Sequence, residues 1–513
     1  MVGAFSPFAI ALIVFLAVAF ASCKKRKDFA VVLFGVSCIM SMNMIMAPLV
    51  FVGGQEITCG DLVLVLFVLF ALAAVAKKNI ILNRYALAAA LCVIAVLSCS
   101  LVYNFLFPYE GTIVASGTSW DMLVQGAAFR SVQEFGSRNL LVLLRYVLFL
   151  ISGVLAISLF DRNDFTKIGR WSLVVGKLHI CYALFELATK AMLGLNIASQ
   201  ITAFVFADNY VFTVYLVRDS LVALWGMTRE PSHFVLALGF YVFIFLLMKN
   251  SGQVLREKTV WPIAAVLLLC VSGASSVVVL LPSLAFFAIV LRQISRKEKV
   301  RIMPIIFTLA ILTLGVYILS ETEFGRSLPY FEKALSVVNS LGIAFHGDYS
   351  ALPGVEGMAR MASIVDSLRV WVSSPLFGIG VGSVNPFSGV FSQLVNTGIV
   401  GFVAWLAYLR SIQRVSPARH AYLLLMAVVV GTMTFIGDGG SVYSFSLLLI
   451  APLISCSLQA ISENNKESEQ VHERFGHHAK RAVRFGEQRR SFAKLQVGVS
   501  ARFSSGGKAR VGE

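Results

Sequence analysis

Long apolar runs recur along the whole chain, and they constrain it more than any other feature. DLVLVLFVLFALAAVA (61–76) and ALAAALCVIAVLSCSLVYNFLF (86–107) are two of them. About 20 such residues cross a bilayer's hydrocarbon core. Inside that core only helices and closed barrels satisfy every backbone polar group. Of 513 residues, 58% are hydrophobic and 14% are charged, and the mean hydropathy is +0.81. A soluble chain of this size carries more charge. The fold class expected is an all-α polytopic integral membrane protein with about 12–13 transmembrane helices. Helices are expected at 4–22, 29–52, 59–76, 85–107, 139–160, 171–191, 233–248, 259–273, 276–292, 302–320, 385–409, 420–436 and 441–459. The first run is followed by KKRKD without a small-residue cleavage pattern, so it reads as a retained helix.

The net charge of +16 falls in short basic loops: Lys24–Lys27, Lys77 to Arg84, Arg162 to Arg170, Lys249 to Lys258, Arg296 to Arg301 and Arg410 to Arg419. That spacing follows the positive-inside rule and argues against a nucleic-acid partner. It puts the N-terminus outside and the C-terminus in the cytoplasm. The parity requires 259–292 to be a hairpin of two short helices, with SGASS (272–276) as its outer turn. Three long connections then lie outside, at 108–138, 192–232 and 321–384. Within the second, Asp208 and Asn209 make a further span costly, so 201–217 reads as a surface helix lining a cavity. Residues 1–460 form the membrane domain, and the polar basic tail 461–513 is expected to be disordered and cytoplasmic, with KRAVRFGEQRR able to touch anionic lipid heads. The eight cysteines form no CxxC or Cys/His cluster, so neither a disulfide framework nor a metal site is expected. The chain shows no transporter-type internal repeat.

Chemistry-bearing residues concentrate in the outer loops. VRDSLVALWGMTREPSHFVLALGF (217–240) holds Arg218, Arg229 and Glu230 just ahead of a helix. Proline in a first turn and an acid at a helix start also have a local reason, since both suit the helix N-terminus. GVEGMARMASIVDSLRVWVSSPLFGIGVGS (354–383) begins as an amphipathic helix over 358–372. Arg360 and Arg369 are nine positions apart, which puts them on opposite faces of it. Arg360 is therefore the candidate for the site and Arg369 for a second contact or the surface. Arginine's planar fork suits phosphate oxygens. Outer arginines without metal ligands point to a lipid-linked diphosphate; pairing with Asp219, Glu356 or Asp366 is the alternative. Gly378, Gly380 and Gly382 read either as a loop whose backbone N–H groups approach such a diphosphate or glycan, or as a flexible connector. Within spans, Arg145 and Glu186 are functional candidates or an interhelical tie, while Lys177 and Lys190 are placed to snorkel.

The elements TREPSHFVLALG (228–239), ARMASIVDSLRVWVSSPLFGIGVGS (359–383) and NTGIVGFVAWL (396–406) resemble the bacterial O-antigen and exopolysaccharide repeat-unit polymerases, the Wzy-type branch of a superfamily that also holds the O-antigen ligases. The likeness spans the C-terminal half and the helix pattern. The ligase pattern His-[Asn/Ser/Gln]-x9-Gly-x-x-Gly finds Ser388, Gly398 and Gly401 here, but Phe387 at the histidine position, which favours the polymerase branch. The resemblance implies a GT-C-like enzyme of the bacterial inner membrane that needs no cofactor. It would polymerise undecaprenyl-diphosphate-linked repeat units, alongside a flippase and a chain-length regulator. It implies Glu230 as candidate base, with His346 or Asp348 behind it, and Arg218, Arg229, Arg360 and Arg369 around the diphosphate. A ligase, or a lipid-linked oligosaccharide flippase, is the rival reading.

Overall fold

The computed structural model describes residues 6–43, 47–52, 55–78, 80–114, 130–206, 224–228, 230–253, 258–272, 276–296, 358–384, 388–413, 420–434 and 444–466, with 274, 300, 303, 322 and 386 singly. They are almost entirely helical. In chain order the elements are α1 (Pro7–Ser22), α2 (Arg26–Met42), β1 (Pro48–Val52), β2 (Gln55–Thr58), α3 (Cys59–Lys78), α4 (Arg84–Leu106), β3 (Ile113–Val114), β4 (Arg130–Ser131), α5 (Ser137–Leu159), α6 (Arg162–Leu193), α7 (Ile197–Phe206), α8 (Pro231–Asn250), α9 (Val260–Val271), α10 (Val277–Ser295), α11 (Met358–Ser373), α12 (Gly389–Gln413), α13 (Ala421–Met433) and α14 (Phe445–Lys466). Seven of them, α3, α4, α5, α6, α8, α12 and α14, are long and apolar enough to cross a membrane, and α1, α7, α9, α10 and α13 are shorter apolar helices.

Most expected helices start and stop within a few residues of their sequence limits, and four depart. Helix α14 runs to Lys466, seven residues past the expected 459, so the start of the tail expected to be disordered is helical. The other three depart for local reasons. The 29–52 helix ends at Met42. Beyond it PLVFV pairs antiparallel with QEIT, Val52 opposite Gln55. The Gly-Gly between them in sequence is a two-residue hairpin signal. Helix α6 starts nine residues before the expected 171. Its polar first turns hide it from hydropathy, but Asp161 caps it: its carboxylate accepts from the N–H of Asn163 (2.9 Å) and Asp164 (3.1 Å), and Asp164 accepts from Asp161 N–H. Helix α12 starts at Gly389 and breaks at Gly398, where φ is 64° and ψ −175°. The 259–292 stretch is the pair of short helices that the loop parity requires. The helix expected at 302–320 and most of the tail lie outside the described residues, as do 207–223.

Helices α2, α3, α5, α4, α12, α13, α10, α8 and α6 each pack on the next, and α6 returns to α2. The part of α14 up to Leu458 runs among them. Cys38 Sγ donates to Phe445 O at 3.4 Å, Ser446 N–H donates to Ser41 Oγ at 3.0 Å, and the Phe149 and Phe445 rings lie 6.4 Å apart. Lipid gives apolar side chains no drive to associate, so small residues that permit close packing carry such contacts. Gly153 lies against Tyr408, Gly176 against Tyr241 and Gly35 against Trp171. The outward faces of α1 and α4 expose Ile13, Val14, Phe15, Leu91 and Val102, as lipid contact requires.

The long apolar helices run between two ends. One is basic: Lys27 Nζ there bridges Asp164 (2.7 Å) and Asp161 (3.2 Å). Asn83 N–H donates to Ser158 Oγ at 3.0 Å, and Gln413 caps Ala421 O at 2.7 Å. The opposite end gathers the β1–β2 hairpin, the start of α8, the turn between α9 and α10, and α11. Ile364 of α11 packs on Val279 and Phe391, and Leu224 N–H reaches Ser272 O at 3.4 Å.

Candidate functional site

The polar machinery of that opposite end forms two assemblies. The first is a strap, Leu224–Thr228, leading into α8. Trp225 and Thr228 are buried. His179, Glu186 and Lys190 are spaced seven and four apart on α6, which puts them on one face. The Glu186 carboxylate accepts from Trp225 N–H (3.1 Å) and Gly226 N–H (2.7 Å) and pairs with Lys190 Nζ at 2.8 Å. His179 Nε2 accepts from Met227 N–H at 3.2 Å, and its Nδ1 lies 3.2 Å from Asn43 Oδ1. Gly226 has φ +56°, and a Cβ there would run into His179 and Phe234. Thr228 Oγ lies 2.7 Å from Trp225 O and 2.9 Å from Glu230 O. Glu230 is the N-cap of α8, with extended backbone and Pro231 next. Its half-buried carboxylate accepts from Ser232 Oγ at 3.0 Å.

The second assembly is the glycine loop. Gly378, Gly380 and Gly382 have φ of +66°, +94° and +76°, and residues 378–384 are buried. A Cβ on Gly378 would come within 2.6 Å of the Val395–Thr397 backbone. The loop inserts where α12 breaks: Ile379 N–H donates to Val395 O (2.9 Å), and Ile399 N–H donates to Pro375 O (2.9 Å). Neutral side chains cap its carbonyls. Ser100 Oγ donates to Phe377 O (2.6 Å), Gln133 to Ile379 O and Asn139 to Val381 O (2.7 Å). Asn396 accepts from Val384 N–H (3.0 Å) and donates to Val384 O (2.8 Å). The three glycines therefore have a packing role: they let a turn lie against helix backbone.

Of the residues singled out in the sequence, Glu230 stands just past the strap, as the N-cap of α8. Arg360 lies in the first turn of α11, its side chain outside the description, and Arg369 is exposed on α11. Arg218, Arg229, His346 and Asp348 lie outside the described residues. Arg145 pairs with Asp61 of α3 at 2.9 Å and Glu186 with Lys190, so the two form no mutual tie. Lys190 does not snorkel: it is 3% exposed and bound to Glu186. His179, Asn43, Gln133, Asn139 and Asn396 escaped the sequence reading. Their signal was a polar side chain within or beside an apolar run. No protein-family model matches the chain, and no curated protein matches it.

Proposed function

We propose that the protein polymerises undecaprenyl-diphosphate-linked oligosaccharide repeat units on the outer face of the bacterial inner membrane, as a glycosyltransferase of the Wzy-type polymerase class. The observation that carries this reading is the Glu230 carboxylate: half-buried, at a helix N-terminus, just past a braced strap at the non-basic end of the long apolar helices. With the basic end in the cytoplasm, that carboxylate faces the outer side, on which the delivered repeat units would be joined. The acceptor hydroxyl of one repeat unit attacks the anomeric carbon of the growing glycan. The bond from that carbon to the diphosphate breaks, and undecaprenyl diphosphate leaves. Glu230 takes the hydroxyl proton as general base. Arg360 and Arg218 stabilise the charge growing on the departing diphosphate, with Arg229 and Arg369 as further substrate contacts. A flippase that delivers the repeat units and a chain-length regulator are the partners this role calls for.

Purified enzyme incubated with lipid-linked repeat units tests it. Glu230→Gln keeps shape and most hydrogen bonding but cannot take the proton. We expect polymer per minute to fall by roughly 10²–10⁴-fold, with protein yield and bound substrate unchanged. A Gln variant within a few-fold of the parent makes Glu230 a helix cap. A parent that transfers preformed glycan to a lipid A-type acceptor without extending it is a ligase.

A further inference from the structure

We infer that His179, Glu186 and Lys190 of α6 are positioning residues that clamp the Trp225–Thr228 strap and so set the Glu230 carboxylate; the kinetic half of this inference rests on the polymerase reading, the geometric half does not.

Three successive amides, of Trp225, Gly226 and Met227, are captured by two side chains of one helix. Successive N–H groups in a turn with a left-handed residue converge into a concavity that binds anions. Here the anion is the protein's own Glu186. Lys190, one turn along α6, balances its charge at 2.8 Å. Burying an ion pair gives little net stability over apolar side chains of the same size, so the pair is better explained by what it holds in place.

His179 completes the clamp. Met227 N–H can only donate, so Nε2 carries the lone pair and the ring proton sits on Nδ1, facing Asn43 Oδ1. Asn43 is oriented for this, because its Nδ2 is spent on Ile39 O at 2.8 Å. Both ring nitrogens are engaged, which suits a brace rather than a proton carrier. From Met227 the chain passes to Thr228, whose hydroxyl bridges Trp225 O and Glu230 O. Phe234 N–H then donates to Glu230 O at 3.1 Å and starts α8. Glu230 is thus held from α6 through the strap and from the bundle through α8. A misplacement of about 1 Å at a reacting group costs on the order of 10²-fold in rate.

The test uses the full chain in nanodiscs and three variants. His179→Phe keeps ring volume and removes the acceptor. His179→Gln restores an acceptor for Met227. Glu186→Leu with Lys190→Met removes both the acceptor and the pair without stranding a charge. Hydrogen–deuterium exchange is read on the peptide from Trp225 to Ser232. Exchange there should rise about 10-fold or more in His179→Phe and in the double variant, since opening replaces a held amide. It should stay near the parent in His179→Gln, with the middle of α8 unchanged throughout. In polymerisation assays, His179→Phe should lower kcat about 10-fold or more at unchanged KM, and add nothing in a Glu230→Gln background.

Parental exchange in both disrupting variants overturns the clamp whatever the activity. Faster exchange with kcat losses that multiply in the Glu230→Gln background overturns the link to Glu230. A parent that polymerises nothing overturns the polymerase reading, and the exchange measurement then decides the clamp alone. If His179→Phe yields no folded protein, the double variant carries the same measurements.

Discussion

The strap and the glycine loop sit at the same end of the helices and solve the same problem in opposite ways. Each is a buried irregular segment, where free backbone groups are costly. The strap has the N–H groups of Trp225, Gly226 and Met227 taken by acceptors, one charged and one imidazole, both from α6. The glycine loop has its carbonyls taken by neutral donors from α4, α5 and the segment before α5, and its N–H groups partly by the broken α12. Other groups of the strap are held from outside α6: Leu224 N–H by Ser272 O and Gly226 O by the Thr202 hydroxyl. Neutral donors from several elements, plus backbone-to-backbone bonds, fix a segment to the frame. The strap leads to the acid of the proposed chemistry, and the glycine loop is the keystone of helix packing.

The sharpest way to break this comparison is at Gly398. Its φ of 64° with ψ near 180° is open to glycine almost alone, and a Cβ there would overlap Leu376 and Phe377 backbone. The conformation by itself costs about 1–3 kcal/mol in any other residue. The overlap adds to that, because backbone atoms cannot swing aside as a side-chain tip can. Gly398→Ala should lower the thermal midpoint of purified protein by more than any single substitution in the strap, or prevent its recovery from membranes. A variant that melts with the parent would show that the loop does not seat in the break of α12.

Asn396 gives a smaller effect of the same kind. Its carboxamide both accepts from and donates to Val384 and reaches Ser392 Oγ at 3.1 Å. Asn396→Ala leaves buried groups of the loop unsatisfied, at about 1–3 kcal/mol. Asn396→Asp keeps the acceptor and loses the donor. Thermal midpoints should fall in both, and activity per folded molecule should hold, since the loop lies in the frame. A drop in kcat at unchanged stability would move the loop into the chemistry.

Much of the frame was legible in the sequence because burial in lipid leaves a blunt mark: a long run without charge. DLVLVLFVLFALAAVA announces α3. The same measure hid the start of α6, where RNDFTKIGR is polar, and only the Asp161–Asp164 capping pair marks the true beginning. It also hid the break in α12, because Gly398 looks like any glycine in an apolar helix. At the candidate site Glu230 stood out as an acid before a proline. Glu186 and Lys190 stood out as charges, but their partner could not be read, because it is the backbone of Trp225 and Gly226, 39 and 40 residues from Glu186. Backbone partners leave no residue type to recognise. His179 was missed for the same reason. A histidine seven residues before a buried acid on an apolar helix is the signal that would have found it.

The smallest effect comes from the basic end and sharpens what burial does for a charged contact. Lys27 bridges Asp161 and Asp164 as Lys190 bridges Glu186, but the Asp161 side chain is 60% exposed and that of Lys27 27%. Solvent screens such pairs, so the cluster contributes at most about 1 kcal/mol. Partial burial pushes the Asp161 carboxyl up, but the Asp164 N–H and Lys27 outweigh it and hold the group below its ordinary 3.8. Partial burial likewise pushes Lys27 down, and its bonds to Asp164 and Asp161 outweigh that and hold it above 10.5. A depressed acid stabilises the fold above its unfolded pKa and loses that contribution as pH falls through the folded one. A raised lysine contributes fully below its unfolded pKa and loses it as pH rises through the folded one. Both contributions are therefore flat between roughly pH 5 and 9. Lys27→Met should lower the thermal midpoint by a small, constant amount across that range. The gap to the parent should close below about pH 4, as Asp161 takes a proton in both proteins. It should also shrink in 1 M salt, where the screening length falls to about 3 Å. A gap that persists at pH 3 and in high salt would mean that the loss does not come from the ion pairs with Asp161 and Asp164.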